Sequence, residues 1–209
     1  MRKAQADIIS AVLLIIMGLT LVGVAYTWGI PLIEKRADTS LVERTFKAFD
    51  AITNEKSLPK IIEYVSNRGG EDIFSLDTKG IWHLYPATDT TPENNSIQFS
   101  FQAKVSNMAV DSGWIPLSSG STGPAGIQGF DESYVVFGRA DTAPGGYNIT
   151  YKVWLRSLNN TVSNKIYSLS LIQNTAGPLI SSGKTVKISR GDVRTEVNLI
   201  TTEIKILLG

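Results

Sequence analysis

The chain contains no cysteine. Disulfides, iron–sulfur clusters, thiolate zinc sites and cysteine nucleophiles are thereby excluded together. A domain of this size is stable from its core alone, so the absence does not argue against an outside location. The chain has a single histidine, His83, so a zinc site would rest almost wholly on carboxylates, which suit zinc poorly. A Ser-His-Asp triad would have to use that same residue, and no Gly-x-Ser-x-Gly elbow accompanies it. A surplus of charge is lacking too: 20 Lys and Arg stand against 19 Asp and Glu, for a net charge of +1. The basic residues are scattered among acidic ones, which gives no concentrated surface for nucleic acid. No Walker-type phosphate loop is present, and Gly145-Gly146 before a strand reads as a turn. The expectation is a protein without cofactor, metal or catalytic residues, and not an enzyme.

What the chain does have is an unbroken apolar run close to its N-terminus. Ile8 to Ile30 reads IISAVLLIIMGLTLVGVAYTWGI, with Ser10, Thr20 and Thr27 as uncharged interruptions. As a helix it would be roughly 34 Å long at about 1.5 Å per residue, enough to cross a hydrocarbon core ~30 Å thick. The run is too long for the apolar core of a secretory signal peptide, and no small-residue cleavage pattern follows it. Arg2 and Lys3 favour a cytoplasmic N-terminus, although Lys35 and Arg36 beyond the run reduce the charge asymmetry. Setting the run aside leaves about 175 residues, enough for one well-cored domain and a connecting helix.

The head Arg2-Lys3-Ala4-Gln5-Ala6-Asp7, followed by the apolar helix, resembles the class III signal peptide of archaeal type IV pilins and archaellins. The resemblance covers roughly the first thirty residues. It departs from bacterial pilins, which are cut after glycine and carry a glutamate at the fifth mature position. It also lacks the Gly-Ile-Gly-Thr opening of main archaellins. The resemblance implies a cut between Lys3 and Ala4 by a prepilin peptidase, which removes the basic residues and keeps the helix. It further implies a filament of identical chains, a membrane-bound precursor, and assembly by a pilus machinery. Small residues such as Ala11, Gly18, Gly23 and Ala25 would let such helices approach closely. Asp7 is the ionisable residue the trimmed chain would keep beside the apolar segment; its alternatives are pairing with the new α-amine of Ala4 or a place at the membrane interface.

Gly29-Ile30-Pro31 is expected to end or kink the first helix. Leu41, Val42, Thr45, Phe46, Phe49 and Ile52 then fall at helical spacing, and Ser40 with Glu43 fits a capping box for a fresh start near residue 41. The favoured partner of the Phe46/Phe49 stripe is the chain's own β-domain, ahead of a neighbouring subunit. A short helix is expected over Leu58–Val65, capped by Ser57, with Pro59 in its first turn and Asn67-Arg68-Gly69-Gly70 as its stop.

From Ile73 onward the period changes from helical to alternating. Ile97–Val105 and Tyr147–Arg156 alternate cleanly, and weaker strands are expected at Gly80–Leu84, Ser133–Phe137, Ile166–Ile172, Thr185–Ser189 and Val193–Leu208. The C-terminal strand is expected to pair with Lys184–Ser189 across a turn at Arg190-Gly191-Asp192. The fold class is therefore α+β: a long N-terminal apolar helix followed by an antiparallel β-sandwich head, Ig-like or pilin-type. The expected organisation is 1–3 signal peptide, 4–30 membrane or filament-core helix, 31–70 amphipathic stem, and 71–209 extracellular sandwich.

Smaller motifs complete the inventory. Asn94-Asn95-Ser96, Asn148-Ile149-Thr150 and Asn159-Asn160-Thr161 are N-glycosylation sequons, making Asn94, Asn148 and Asn159 candidate acceptors. Asp89, Glu93, Asn94 and Asn95 offer oxygen ligands, but they match no EF-hand loop and read as a solvated loop. The segment Ser118–Gly126 is small, polar and loop-like. The functional expectation is a structural subunit of an archaeal type IV pilus-like adhesive filament. The alternative is a membrane-anchored, stator-like or minor pilin component of the same machinery; an anchored extracytoplasmic enzyme is disfavoured.

Overall fold

The computed structural model describes residues 2–118 and 120–209, with side chains from Ser10 onward. Helix α1 runs Arg2–Phe49, and the chain divides into two compact units, residues 1–40 and 41–209. The first unit is helix alone. The second, the head, takes in the last turns of α1, helix α2 (Leu58–Arg68) and twelve strands.

Two helix expectations change. Of the two alternatives at Pro31, the ending is overturned, because α1 continues past it, and no fresh helix starts near residue 41, because Ser40 lies mid-helix. A proline removes one amide from the hydrogen-bond ladder, and strongly helical residues on both sides carry the element across that single loss. Helix α2 begins where expected but reaches Arg68, three residues further than its apolar pattern indicates. Ser57 holds the N-cap position through its carbonyl, which accepts the Ile61 amide at 3.0 Å, while its hydroxyl makes no capping bond. Gly69, at φ 79°, closes the helix with its amide on the Val65 carbonyl at 2.9 Å.

The strands are β1 (Glu71–Ser75), β2 (Ile81–Tyr85), β3 (Ser96–Ala103), β4 (Ile115–Pro116), β5 (Ala125–Ile127), β6 (Tyr134–Ala143), β7 (Gly146–Leu155), β8 (Ser157–Asn160), β9 (Lys165–Gln173), β10 (Ile180–Ser181), β11 (Thr185–Thr195) and β12 (Leu199–Leu208). They form two six-stranded sheets, ordered β1-β11-β12-β9-β8-β5 and β10-β2-β3-β7-β6-β4. Pairing is antiparallel except for β9 with β12 and β5 with β8, which are parallel. The head is thus a β-sandwich with two parallel pairs in one of its sheets.

Each long strand turns alternate side chains into a shared core. Ile97, Phe99 and Phe101 of β3 face Ile149, Tyr151 and Val153 of β7, and all six are buried. Phe49, at the end of α1, enters this core completely. Its ring lies 5.2 Å from Tyr151, 6.0 Å from Trp82, 6.3 Å from Phe99 and 6.4 Å from Phe74. The Phe46/Phe49 stripe therefore packs on its own head. Burying one phenylalanine of this kind contributes about 1.5–3 kcal/mol.

The C-terminal hairpin does form, but its turn is not at Arg190-Gly191-Asp192. Strand β11 continues through that tripeptide as a β-bulge, and the chain reverses at Glu196–Asn198, where the Glu196 amide reaches the Leu199 carbonyl at 2.8 Å. A side chain at position 191 would meet Glu203 Cβ at 2.9 Å, so the bulge needs a glycine.

Candidate functional site

The N-terminal unit presents its surface unpaired. From Val12 to Ile33 the large apolar side chains other than the half-buried Ile30 are exposed, Leu14 to 70 % and Trp28 to 80 %. The stretch is long and apolar enough to cross a membrane, and none of its most apolar window is buried by the rest of the chain. Its threonine hydroxyls are satisfied within the helix. Thr20 donates to the Ile16 carbonyl at 2.8 Å, and Thr27 to those of Gly23 and Val24 at 3.0 and 3.1 Å. Neither threonine then needs water, which suits a lipid environment. Ala11, Gly18 and Ala25 stand seven residues apart and so share one face; no other group of the chain lies within 4 Å of where a Cβ on Gly18 would sit. Tyr26 and Trp28 close the apolar run with two exposed amphipathic rings, a pair the sequence reading passed over although interfacial aromatics are a known signal. The side chains of Lys3, Ala4 and Asp7, on which the processing site and the core charge depend, lie outside the described residues.

On the head, the polar residues singled out in the sequence serve packing. His83 sits half-buried on β2, its ring stacked 6.2 Å from that of Tyr85. Glu93 accepts from Lys152 Nζ at 2.8 Å, from Gln98 Nε2 at 2.9 Å and from Trp114 Nε1 at 3.3 Å. Lys152 also lies over the Trp114 ring at 4.1 Å, which fixes the segment before β4 against the sheet. Asn95 holds a left-handed backbone, φ 57°, and stitches the sheets. Its amide donates to the carbonyls of Leu155 on β7 and Leu169 on β9, and its Oδ1 accepts the Leu171 amide. Asp89 Oδ1 takes the Thr91 amide at 2.9 Å. These four oxygen-bearing residues therefore do not converge on one point. No group of three or more His, Asp or Glu suited to a metal occurs among the described residues.

Within the expected loop, residues 120–124 are held by specific hydrogen bonds, and strand β5 begins at Ala125, inside the segment expected to be loop. Arg156, buried at its guanidinium, donates from Nη1 to the carbonyls of Ser121 and Gly123, and from Nε to that of Glu132. Asp131 accepts the Ile127 amide at 2.9 Å and the Ser121 amide at 3.2 Å, with Arg156 Nη2 at 3.4 Å. Those amide hydrogen bonds, helped by the Arg156 charge, hold the Asp131 carboxyl below the usual carboxylate range. Thr142 does the same to Asp111 through its amide and hydroxyl.

The three sequons differ in setting. Ser96 is wholly buried and Thr150, on the face of β7 opposite the core, is 3 % exposed, so the Asn94 and Asn148 sequons have inaccessible third residues. Asn159 and Thr161 are both exposed, where β8 gives way to its turn.

Two concavities mark the head surface. One, of about 770 Å³, lies between α2 and β1 and carries charges of both signs, from Glu55 and Asp72 to Lys56 and Arg68. Its basic and acidic groups compensate each other: Lys60 lies 2.9 Å from Glu63, which holds the ammonium well above the usual lysine range. The other, of about 410 Å³, opens beside the Gln128–Ser133 segment. Compared with known proteins, the chain matches no family model, no curated protein and no solved structure.

Proposed function

We propose that this chain is a structural subunit of an archaeal type IV pilus-like filament. Before assembly it spans the cell membrane once, with its N-terminus cytoplasmic. A prepilin peptidase trims it between Lys3 and Ala4, and the assembly machinery then moves it into an extracellular polymer. Apolar helices form the filament's centre, and β-sandwich heads form its sheath and carry surface adhesion.

The observation that carries this reading is the uncovered apolar helix, continuous with turns that are locked into a well-cored head. Exposed to water, each apolar square ångström costs about 25 cal/mol, so the helix requires lipid or copies of itself. Its threonines bond internally, and Ala11, Gly18 and Ala25 fall on one face, which suits both environments in succession. Tyr26 and Trp28 suit the outer interface of the precursor. Asn159 is the sequon whose geometry fits a glycan.

The test is intact-mass and N-terminal analysis of the chain from sheared surface filaments and from membranes. The expected result is a filament fraction dominated by a chain beginning at Ala4, with any glycan on Asn159, and loss of both filaments and trimming in Lys3→Gln. A chain that keeps Arg2 and Lys3 and stays with membranes overturns the filament reading and leaves an anchored head.

A further inference from the structure

The smaller concavity of the head has a composition that the filament reading does not use. It sits where the inner face of one sheet runs beyond the core. The parallel register sets Ile200 beside Tyr167, Thr202 beside Leu169 and Ile204 beside Leu171, all facing inward. Leu171 and Ile204 are wholly buried, whereas Tyr167 and Thr202, further along the same strands, are half-exposed and line an open cavity of about 410 Å³. The end of α2 supplies Asn67 to its wall, and the segment after β5 supplies Gln128, Phe130 and Ser133.

Three properties of this cavity restrict its ligand. The side chains of Asn67, Ser133, Tyr167 and Thr202 have no hydrogen-bond partner among the described residues, so an amide and three hydroxyls face it uncommitted. No lysine, arginine or histidine lines it, and its carboxylates already face cations: Glu63 and Glu132 face Lys60 at 2.9 and 3.7 Å, and Asp131 faces Arg156 at 3.4 Å. An anionic ligand would find no counter-charge there. Finally, Phe130 at its rim is 90 % exposed, so an aromatic ring face is open to a ligand there.

We infer that this cavity binds a neutral saccharide, with the apolar C–H face of one sugar ring against Phe130 and its hydroxyls on Asn67, Ser133, Tyr167 and Thr202. A pyranose joins one apolar face to a rim of neutral donors and acceptors, and this wall supplies the complement of both. The volume lies in the ordinary range for small-ligand sites. The rim is held in advance: the Phe130 and Asp131 amides bond the Ile127 carbonyl at 3.1 and 2.9 Å, and the Asp131 carboxylate anchors the same turn. Little ordering is then left to oppose binding. The inference rests on the head's geometry and stands whether or not the chain polymerises.

The experiment uses the full chain in a zwitterionic detergent, since sugar-headed detergents would compete. Mannotriose, chitotriose and the acidic trimer of galacturonic acid are titrated by calorimetry and by saturation-transfer NMR. At least one neutral trisaccharide is expected to bind, and the acidic trimer not to. Phe130→Ala is expected to weaken binding roughly tenfold, and Thr202→Val several-fold, with melting temperatures unchanged. Both positions lie at the surface, so a change in folding would appear in the melting curve and be separated from a change in binding. Failure of both neutral sugars at about 10 mM, near the weak end of useful affinity, overturns the inference. Equal binding of the acidic trimer, or affinity unmoved in both variants, overturns it as well.

Discussion

Thr45 on the last turns of α1 and Thr78 between β1 and β2 share a hydrogen bond of 2.6 Å in a place closed to water. Thr45 donates its own proton to the Leu41 carbonyl at 2.8 Å, so Thr78 is the donor between the two hydroxyls. Thr45→Val removes the acceptor and leaves a buried hydroxyl unpaired, at a cost of about 1–3 kcal/mol. The double variant Thr45→Val, Thr78→Val removes both partners and should recover most of that loss. Denaturant unfolding of the four proteins measures the coupling. A double variant whose loss equals the sum of the two single losses would show that the pair contributes nothing.

Asn95 makes a second buried stitch, here between the sheets. Replacing it with alanine strips partners from the Leu155 and Leu169 carbonyls and from the Leu171 amide, and forces a β-carbon into a left-handed backbone. The expected destabilisation is about 3 kcal/mol, mostly from unpaired backbone groups. Asn95→Gly loses the same bonds without the left-handed strain but adds unfolded-chain entropy, so the difference between the two variants reports the strain less that entropy, about 0.5–1 kcal/mol. Chemical denaturation checks both.

The head was legible where apolar and polar side chains alternate, even though β3 and β7 bury residues of both faces. Ile97–Val105 and Tyr147–Arg156 alternate because β3 and β7 each turn one face to the core, and both strands lie within a residue or two of their expected bounds. The last turns of α1 were legible for a related reason: Val42, Thr45 and Phe49 of the expected stripe are buried, whereas Ile52, which closed that stripe, lies past the helix end and is exposed. Two things were not written locally. Pro31 carries a breaker's signature, yet continuation depends on helix on both sides of it, which no short window contains. The bulge at Arg190-Gly191-Asp192 looks like a turn from its residues alone; β12 is long enough to keep pairing past it, and that is a property of a distant segment. The open cavity escaped the sequence entirely, because Asn67, Phe130, Tyr167 and Thr202 come from four separate elements. Apart from the exposed phenylalanine they form no motif.

Asp131 makes stability depend on acid. Its carboxyl titrates below the usual range in the folded head, through the Ile127 and Ser121 amides and then Arg156. A depressed folded value means that the stabilisation is fully present above the unfolded value of about 4 and is lost as the pH falls through the lower folded value. Melting temperature should therefore drop below about pH 4. Asp131→Asn should begin less stable at neutral pH and fall less steeply in acid. Asp111, held low by Thr142, contributes in the same direction and keeps some acid sensitivity in that variant. A slope unchanged by Asp131→Asn would remove this carboxylate from the account.

Gly18 tests the helix surface without disturbing the head. Among the described residues, and beyond the helix's own backbone, nothing lies within 4 Å of the Cβ it lacks, so a larger apolar residue there meets no neighbouring group of the single molecule. Leucine is also as lipid-compatible as its neighbours, and membrane insertion of Gly18→Leu should be normal. Between closely packed copies the added bulk has no room; overpacking of about 1–3 kcal/mol recurs at every subunit contact and should reduce filament yield by tenfold or more. Gly18→Ala, smaller by most of that volume, should retain filaments at a lower yield. Counting filaments by electron microscopy beside membrane-fraction immunoblots separates the two steps. If Gly18→Leu assembles as well as the parent, close helix approach along the Ala11, Gly18 and Ala25 face is not what joins the copies.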